Sequence, residues 1–247
     1  LRIPKVEFKD MEFVYAGAKE PALKDISFCA MGGQTIGVIG GTGSGKSTLV
    51  NLIPRFYDAA SGQVLVDGTD VKEYSLDELR DKTGVVPQKS VLFKGTLRDN
   101  MRWGKQDASD EEIYRALDTA QAREFVDSKG EGLDLYIDQG GHNLSGGQRQ
   151  RLTIARALVR RPEILIMDDS ASALDFATDA RLRKAIKEMK DGPTVFLVSQ
   201  RASSIRYADQ IIVMDDGEMA GIGTHEELLS DCPAYQEIYY SQFEKEA

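Results

Sequence analysis

The segment GGTGSGKS, residues 40–47, constrains the fold of this chain more than any other feature of the sequence. It fits the pattern G-x-x-x-x-G-K-[ST] and lies between the strand-like stretch QTIGVIGG and the helix-like stretch KSTLVNLIPRF. Glycines in such a loop let backbone N–H groups surround phosphate oxygens, and the following helix adds the positive end of its dipole. The pattern therefore predicts a loop that binds the phosphates of a nucleotide.

Each residue type in this loop has a defined expected task. Lys46 is expected to reach the β- and γ-phosphates, the Ser47 hydroxyl is expected to ligate Mg²⁺, and Thr48 follows directly behind it. The predicted nucleotide-binding residues of the loop are Gly40, Gly41, Thr42, Gly43, Ser44, Gly45, Lys46, Ser47 and Thr48.

Strands and helices alternate along most of the chain. Strand-like segments are KVEFKDMEFVY, ALKDISFCA, QTIGVIGG, GQVLVDGTD, EILIMD, TVFLVS and QIIVM. Helix-like segments are KSTLVNLIPRF, SDEEIYRALDTAQAREFVDS with Ser109 as its N-cap, GQRQRLTIARALVRR ended by Pro162, and ATDARLRKAIKEMK. Because this alternation is typical of a parallel sheet covered on both faces, we predict an α/β fold with a mostly parallel sheet and an inserted helical segment.

Composition excludes several classes of protein. The 247 residues allow one large domain or two small ones. A formal net charge of −9, without any run of five basic residues, argues against a nucleic-acid surface. No apolar run approaches the ~20 residues needed to cross a bilayer. Cys29 and Cys232 lack metal-site spacing and are interpreted as reduced thiols. Because the chain begins at Leu1 rather than Met, it is expected to be an excised domain or a processed piece.

A second glycine motif, in NLSGGQRQRLTIARAL at residues 143–158, opens a predicted helix. Ser145 can cap that helix, and the two glycines leave backbone N–H groups accessible. The motif therefore predicts a second anion site, separate from the first.

With this motif the chain resembles the nucleotide-binding domain of ATP-binding cassette (ABC) transporters, and of ABC exporters in particular, over nearly its whole length. GGTGSGKST resembles the Walker A loop, VVPQ the Q-loop, LSGGQ the signature motif, ILIMD the Walker B strand and SALD the D-loop. The resemblance implies signature residues Leu144, Ser145, Gly146, Gly147 and Gln148, and D-loop residues Ser172, Ala173, Leu174 and Asp175. It implies Ser47, Gln88 and Asp168 at the metal, and Asp169, Gln200 and Gln88 around the attacking water. Tyr15 falls where the family stacks the adenine ring on an aromatic residue.

The resemblance also implies partners and architecture. The fold class is a RecA-like P-loop NTPase core, about 1–89 and 161–247, with an N-terminal antiparallel β subdomain and a helical subdomain at about 90–160. Two such domains pair head to tail, so that ATP and Mg²⁺ lie between the Walker A loop of one and the signature motif of the other. A transmembrane domain of the same polypeptide is expected upstream of Leu1, which places this domain at the cytoplasmic face of the cell membrane. Residues 90–101 are expected near the contact with that domain.

Two positions depart from the family pattern. Asp169 occupies the position of a catalytic Glu, and Gln200 that of a His which contacts the γ-phosphate. An Asp carboxylate is shorter by about 1.5 Å, and displacements near 1 Å can cost ~100-fold in rate. Gln can form hydrogen bonds but carries no charge near neutral pH. Together these changes favour the degenerate chain of a heterodimeric exporter, whose partner supplies the competent Glu and His.

Other interpretations remain open. Asp169 could act as a slower base in a homodimer. An importer ATPase is disfavoured by DDSAS after the Walker B strand and by the absent Met, and an ABC protein of translation or DNA repair by the absence of a second cassette and of basic patches.

Overall fold

The computed structural model describes residues 2–243, which fall into two compact units. Unit 1 contains the residues up to Thr83 and those from Thr194 onward, and unit 2 is Gly84–Pro193. The strands are β1 (Val6–Phe13), β2 (Leu23–Ala30), β3 (Thr35–Gly40), β4 (Ser61–Val66), β5 (Thr69–Asp70), β6 (Thr83–Val86), β7 (Gly95–Thr96), β8 (Tyr136–Ile137), β9 (Ile164–Asp168), β10 (Thr194–Val198), β11 (Gln210–Asp215) and β12 (Glu218–Gly223). The α-helices are α1 (Lys46–Asn51), α2 (Leu76–Lys82), α3 (Leu97–Arg102), α4 (Asp110–Thr119), α5 (Arg123–Ser128), α6 (Gly146–Leu158), α7 (Phe176–Lys187), α8 (Ala202–Ile205), α9 (His225–Asp231) and α10 (Pro233–Phe243).

Unit 1 contains an antiparallel sheet in the order β2-β1-β4-β5 and a second set of strands in the order β12-β11-β3-β10. In the second set β3 is parallel to both β10 and β11, and only the edge strand β12 is antiparallel to its neighbour. Every residue of β10 is buried, as expected for a strand covered on both faces. The predicted α/β fold, with a mostly parallel sheet and an antiparallel β subdomain, is confirmed.

Unit 2 contains helices α3 to α7 and carries the predicted helical insertion. The prediction of one continuous helix over residues 109–128 is wrong, because the structure has two helices there, α4 and α5. Gln121 adopts a left-handed conformation with φ 61°. The Ala122 N–H then donates to the Leu117 carbonyl at 2.8 Å, which closes α4 with a Schellman turn. The predicted N-cap is confirmed, since the Ser109 hydroxyl accepts from the Glu112 N–H at 3.2 Å.

The helix after the phosphate loop is also shorter than predicted. It was expected to reach Phe56, but α1 ends at Asn51 and a turn follows. Pro54 has no N–H to continue the helix, and Arg55 takes a φ of 60°. The Phe56 N–H donates to the Asn51 carbonyl at 3.0 Å, a second Schellman turn. Phe56 is therefore 47% exposed rather than part of the buried face.

None of the helices within residues 2–243 is both long enough and apolar enough to span a membrane.

Candidate functional site

The phosphate loop connects β3 to α1 in unit 1, as the pattern predicted. Gly43 and Gly45 have φ values of 75° and 103°, which residues with a side chain rarely adopt. A Cβ atom on Gly40 would lie 2.4 Å from the Met214 carbonyl oxygen, so that position admits only glycine. Around Gly41 and Gly43, by contrast, an added Cβ would meet no atom within 4 Å. The loop is thus fixed where it meets β11 and open where a ligand can approach.

Lys46 and Ser44 direct polar groups into this loop. The Lys46 ammonium donates to the carbonyls of Gly40 and Gly41 at 2.8 Å each, and the residue is only 8% exposed. The Ser44 hydroxyl is buried and finds no hydrogen-bond partner among the described residues. Because buried polar groups are normally paired, this hydroxyl fits a loop that receives an additional hydrogen-bonding group such as a phosphate oxygen.

A cleft of about 400 Å³ opens beside the loop. Its size lies within the range of small-molecule sites in proteins. Its lining residues are Tyr15, Pro21, Ala22, Gly43, Gly45, Lys46, Ser47, Thr48, Asp216 and Gly217. The structure therefore brings Tyr15 to the same cleft as the Walker A residues, which lie well beyond it in the sequence.

Three contacts fix the Tyr15 ring, which is 39% exposed. Its hydroxyl is 2.5 Å from the Thr48 Oγ1 atom. Its ring lies edge-on to Phe13 at 4.7 Å and to Tyr57 at 5.4 Å between centroids. A ring held in this way is ready to stack on a base with little loss of side-chain freedom. The sequence did not point to Tyr57, because an aromatic residue alone does not indicate that it will contact Tyr15.

The turn between β11 and β12 packs against the phosphate loop, a contact that the sequence did not predict. The Gly217 N–H donates to the Ser44 carbonyl at 3.0 Å, and the Gly217 carbonyl accepts from the Lys24 N–H at 2.9 Å. A Cβ at Gly217 would lie 2.3 Å from the Ala22 carbonyl oxygen. The dipeptide Asp216-Gly217 is a hairpin-turn signal, but a turn signal does not reveal which segment the turn contacts.

The remaining predicted residues, apart from Gln200, lie in unit 2. Asp168 ends β9, and Asp169 follows with a left-handed φ of 48°. Asp is one of the few non-glycine residues found regularly in this region. The Gln88 side-chain Nε2 donates to the Asp169 Oδ2 at 3.4 Å. The structure thus places the Q-loop glutamine next to the carboxylate that departs from the family pattern.

The signature motif forms the start of α6. The Ser145 hydroxyl accepts from the Gln148 N–H at 3.2 Å, and the Gln148 Oε1 accepts from the Ser145 N–H at 3.0 Å. This capping box confirms the predicted N-cap. Gly146 and Gly147 occupy the first turn of the helix. A Cβ on Gly146 would make only ordinary contacts, 3.7 Å from the Ala173 Cβ and 3.9 Å from the Arg149 Nη2.

Gln150, which the sequence analysis also missed, ties α6 to the D-loop. Its Nε2 donates to the Ser172 Oγ at 3.4 Å, and its Oε1 accepts from the Ala173 N–H at 3.0 Å. Asp175 then caps α7, and hydrogen bonds from the Thr178 backbone and hydroxyl hold the pKa of the Asp175 carboxyl below its usual value. The D-loop and the signature helix are therefore one connected structure.

Replacing Gln150 with Leu removes both hydrogen bonds at similar volume. Gln150 is 6% exposed, and the Ala173 N–H loses this partner at a partly buried position. We expect Gln150→Leu to lower the free energy of unfolding by about 1–3 kcal/mol, measured by urea denaturation. Gln106→Leu, at an exposed position, is the control and should change it by less than about 0.5 kcal/mol. Equal stability of the two variants would contradict the bridging role.

Gln200 lies two residues after the buried strand β10 in unit 1 and is exposed. Its carbonyl accepts a hydrogen bond from the Gln242 side chain at 2.6 Å. Gln200 lies in the same unit as the phosphate loop.

The ABC transporter family model matches residues 23–172, and the chain belongs to this family. It is 50% identical over 233 residues to an ABC transporter ATP-binding protein of Mycobacterium tuberculosis, covering 93% of this chain and 40% of that protein. It is 43% identical over 239 residues to an ATP-dependent lipid A-core flippase of Haemophilus influenzae, covering 96% and 41%. A solved bacterial Atm1-family ABC exporter with ATP bound shares 35% identity at a TM-score of 0.91, covering 97% of this chain and 42% of that one.

This chain spans about 40% of the length of the curated relatives it matches. It is an ABC ATPase domain homologous to those of ABC exporters.

Proposed function

We propose that this chain is the motor domain of an ABC exporter at the cytoplasmic face of the cell membrane, and that it binds Mg·ATP and pairs with a second nucleotide-binding domain. The observation that carries the proposal is the cleft that contains Tyr15, Lys46, Ser47 and Thr48 together. Likeness to exporters over 96–97% of the chain supports the direction of transport. A transmembrane domain of the same polypeptide completes the transporter.

The residues of the cleft account for nucleotide binding in this proposal. The Tyr15 ring stacks on the adenine, a contact worth about 1–3 kcal/mol that reads the base weakly. The Lys46 ammonium exchanges its two carbonyl partners for β- and γ-phosphate oxygens, and charge-assisted hydrogen bonds of this kind are about twice as strong as neutral ones. The loop amides and the Ser44 hydroxyl complete the contacts to the phosphates.

The proposed ligands of Mg²⁺ are the Ser47 hydroxyl, the Gln88 side-chain oxygen and the Asp168 carboxylate. Oxygen donors in this small number fit Mg²⁺, which keeps several waters and binds substrate phosphates. The Gln88 hydrogen bond to Asp169 uses the Nε2 atom, which leaves the Oε1 atom for the metal. When bound, the ion neutralises charge that develops on the β- and γ-phosphate oxygens.

We propose that hydrolysis at this chain's own site is slow. Asp169 holds the attacking water less well than a Glu does, because its carboxylate is about 1.5 Å shorter and phosphoryl transfer depends mainly on positioning. Gln200 offers the γ-phosphate a neutral hydrogen bond in place of one that can be charged. The chain then retains ATP, while its intact signature motif completes the competent site of a different partner chain.

The alternative is a homodimer in which Asp169 acts as a slow general base. Both alternatives need the signature motif in trans, but they differ in whether repair of Asp169 and Gln200 raises the rate. An importer ATPase or a non-transport ABC protein is a further alternative. Reading the coding sequence on the 5′ side of Leu1 distinguishes these, because an exporter of this kind encodes membrane-spanning helices there.

Complementation between two variants tests whether the signature motif acts on a partner. One chain carries Asp169→Glu, Gln200→His and Gly146→Asp, so its own site is repaired and its signature motif is blocked. The carboxylate introduced by Gly146→Asp has space at the helix start but repels a phosphate. Alone, this chain is expected to hydrolyse ATP poorly. Mixed with an equal amount of the natural chain, we expect steady-state ATP turnover to rise at least tenfold, about 1.4 kcal/mol of barrier.

The control replaces the natural chain with its Gly146→Asp variant, which must fail to restore turnover. If the natural chain also fails, while a chain with only the two repaired positions is active, the signature motif does not serve a partner and the proposed pairing is wrong.

A further inference from the structure

The segment around Gln200 is a short connection between a strand and a helix. It runs from Ser199, after β10, into the four-residue helix α8. The N-cap residue of α8 is Arg201, whose side chain forms no capping hydrogen bond. The first N–H groups of a helix have no partner within that helix, so they need one from elsewhere.

The side chain of Gln242, in the last turn of α10, supplies that partner from 40 residues away. Its Oε1 accepts from the Ala202 N–H at 2.8 Å, and its Nε2 donates to the Gln200 carbonyl at 2.6 Å. The Arg201 N–H between them donates to the Ser199 Oγ at 3.0 Å. One side-chain amide thus holds the backbone on both sides of Arg201, and the Gln200 carbonyl cannot rotate without breaking a hydrogen bond.

Helix α10 is itself anchored independently of this contact. Tyr235 is fully buried, and its hydroxyl lies 2.7 Å from the His225 Nδ1 atom at the start of α9. The Gln236 Nε2 donates to the carbonyls of Leu229 and Ser230 at 2.7 and 3.2 Å. Gln242 therefore extends from a helix that other contacts hold in place, and its side chain links this helix to the backbone at Gln200.

We propose that Gln242 is a positioning residue, which holds Gln200 where its side chain meets the γ-phosphate and so sets the preference of this chain for ATP over ADP. The inference rests on the proposed function, which assigns Gln200 to the γ-phosphate. It adds that one side chain of the C-terminal helix controls this contact.

The test compares two glutamines of the same helix. Gln242→Met keeps the length of the side chain and removes both hydrogen bonds to the Gln200 segment. Gln236→Met removes two hydrogen bonds that fix α10 to α9 and leaves the Gln200 segment untouched. The dissociation constants of Mg·ATP and Mg·ADP are measured by titration calorimetry on the 247-residue chain. We expect Gln242→Met to weaken Mg·ATP about threefold to tenfold and Mg·ADP by less than about twofold, and Gln236→Met to leave the ratio of the two constants unchanged.

Equal weakening of ATP and ADP by Gln242→Met, or the same change in Gln236→Met, overturns the proposal, because a general loss of helix docking does not distinguish the two nucleotides. The conservative variant Gln242→Glu keeps the acceptor for Ala202 but loses the donor for Gln200, so it should also lose ATP preference.

Two further measurements separate this proposal from the assignment of Gln200. Gln200→Ala should weaken Mg·ATP binding as Gln242→Met does. The double variant should weaken it no further, since both changes remove the same contact, between the Gln200 side chain and the γ-phosphate. Hydrogen exchange at the Ala202 amide, measured without nucleotide, should be faster in Gln242→Met than in Gln236→Met. If exchange is faster in Gln242→Met but Gln200→Ala keeps its ATP preference, the assigned role of Gln200 is refuted, while Gln242 still holds the Gln200 segment. If exchange in Gln242→Met is unchanged, Gln242 does not hold this segment and the proposal is refuted.

Discussion

A Lys46→Ala variant is expected to bind Mg·ATP at least 100-fold more weakly than the natural chain, a loss in the range of ~10²–10⁴. Lys46 supplies the positive charge among the residues that line the phosphate-loop cleft, and its ammonium already lies within hydrogen-bond distance of the loop backbone. Hydrogen bonds to charged groups are worth about 1.5–3 kcal/mol each. The variant loses two of them, to the β- and γ-phosphates. Titration calorimetry with Mg·ATP measures the change.

The same variant has a modest expected effect on folding. The Gly40 and Gly41 carbonyls lose one donor each, but Gly41 is exposed and can accept from water. We expect the free energy of unfolding to fall by about 1–2 kcal/mol, so the variant should remain folded. Lys187→Ala, which removes the same charge from an exposed position at the end of α7, is the control and should bind Mg·ATP normally. Binding of Lys46→Ala within about tenfold of the natural chain would show that ATP does not use this loop.

The phosphate loop and the helix caps could be predicted because their physical causes are local. The loop pattern needs glycine conformations that the residues themselves supply, and Gly43 and Gly45 adopt them. The capping boxes of Ser109 and Ser145 join residues three positions apart, so a short stretch of sequence contains both partners. The strand and helix alternation likewise follows from local apolar periodicity.

Two helix ends were missed because neither Schellman turn carries the glycine that usually marks one, although Pro54 was a signal against continuing α1. A Schellman turn needs a left-handed residue, and glycine is the one that marks it in a sequence. Here Arg55 and Gln121 take that conformation instead. Both carry the strain of a side chain there, and nothing in their residue type indicated that a helix ends beside them.

The missed site residues share another property. Gln150 reaches the D-loop across 23 residues, and Gln242 reaches Gln200 across 42. Neither is among the motif residues to which the sequence assigns a role, and both interact through side-chain amides whose partners become neighbours only after the chain has folded. Sequence patterns therefore indicated which groups are candidates for the chemistry, but not which groups hold them in place.

Repair of both unusual positions, in the variant Asp169→Glu with Gln200→His, is expected to raise steady-state ATP turnover of the isolated domain at least tenfold, about 1.4 kcal/mol of barrier. The Glu carboxylate extends about 1.5 Å further toward the attacking water, and the His can donate a charged hydrogen bond to the γ-phosphate. Because groups that act on one water are not additive, each single variant should give clearly less than the pair. Turnover is measured as phosphate release at high protein concentration, where dimers form.

The left-handed conformation of Asp169 determines which control is needed. Its φ of 48° suits Asp better than Glu, so Asp169→Glu is expected to cost up to ~1 kcal/mol of stability. Asp191 is exposed and has a similar φ of 54°. Asp191→Glu therefore introduces the same strain elsewhere, and it should leave turnover unchanged. If the natural domain already turns over as fast as the repaired one, Asp169 is a working base, the homodimer is the correct alternative, and the search for an unlike partner ends. If the double variant turns over faster, Asp169 and Gln200 cause the slow hydrolysis. The intact signature motif then has a function only opposite a partner chain whose own site is competent.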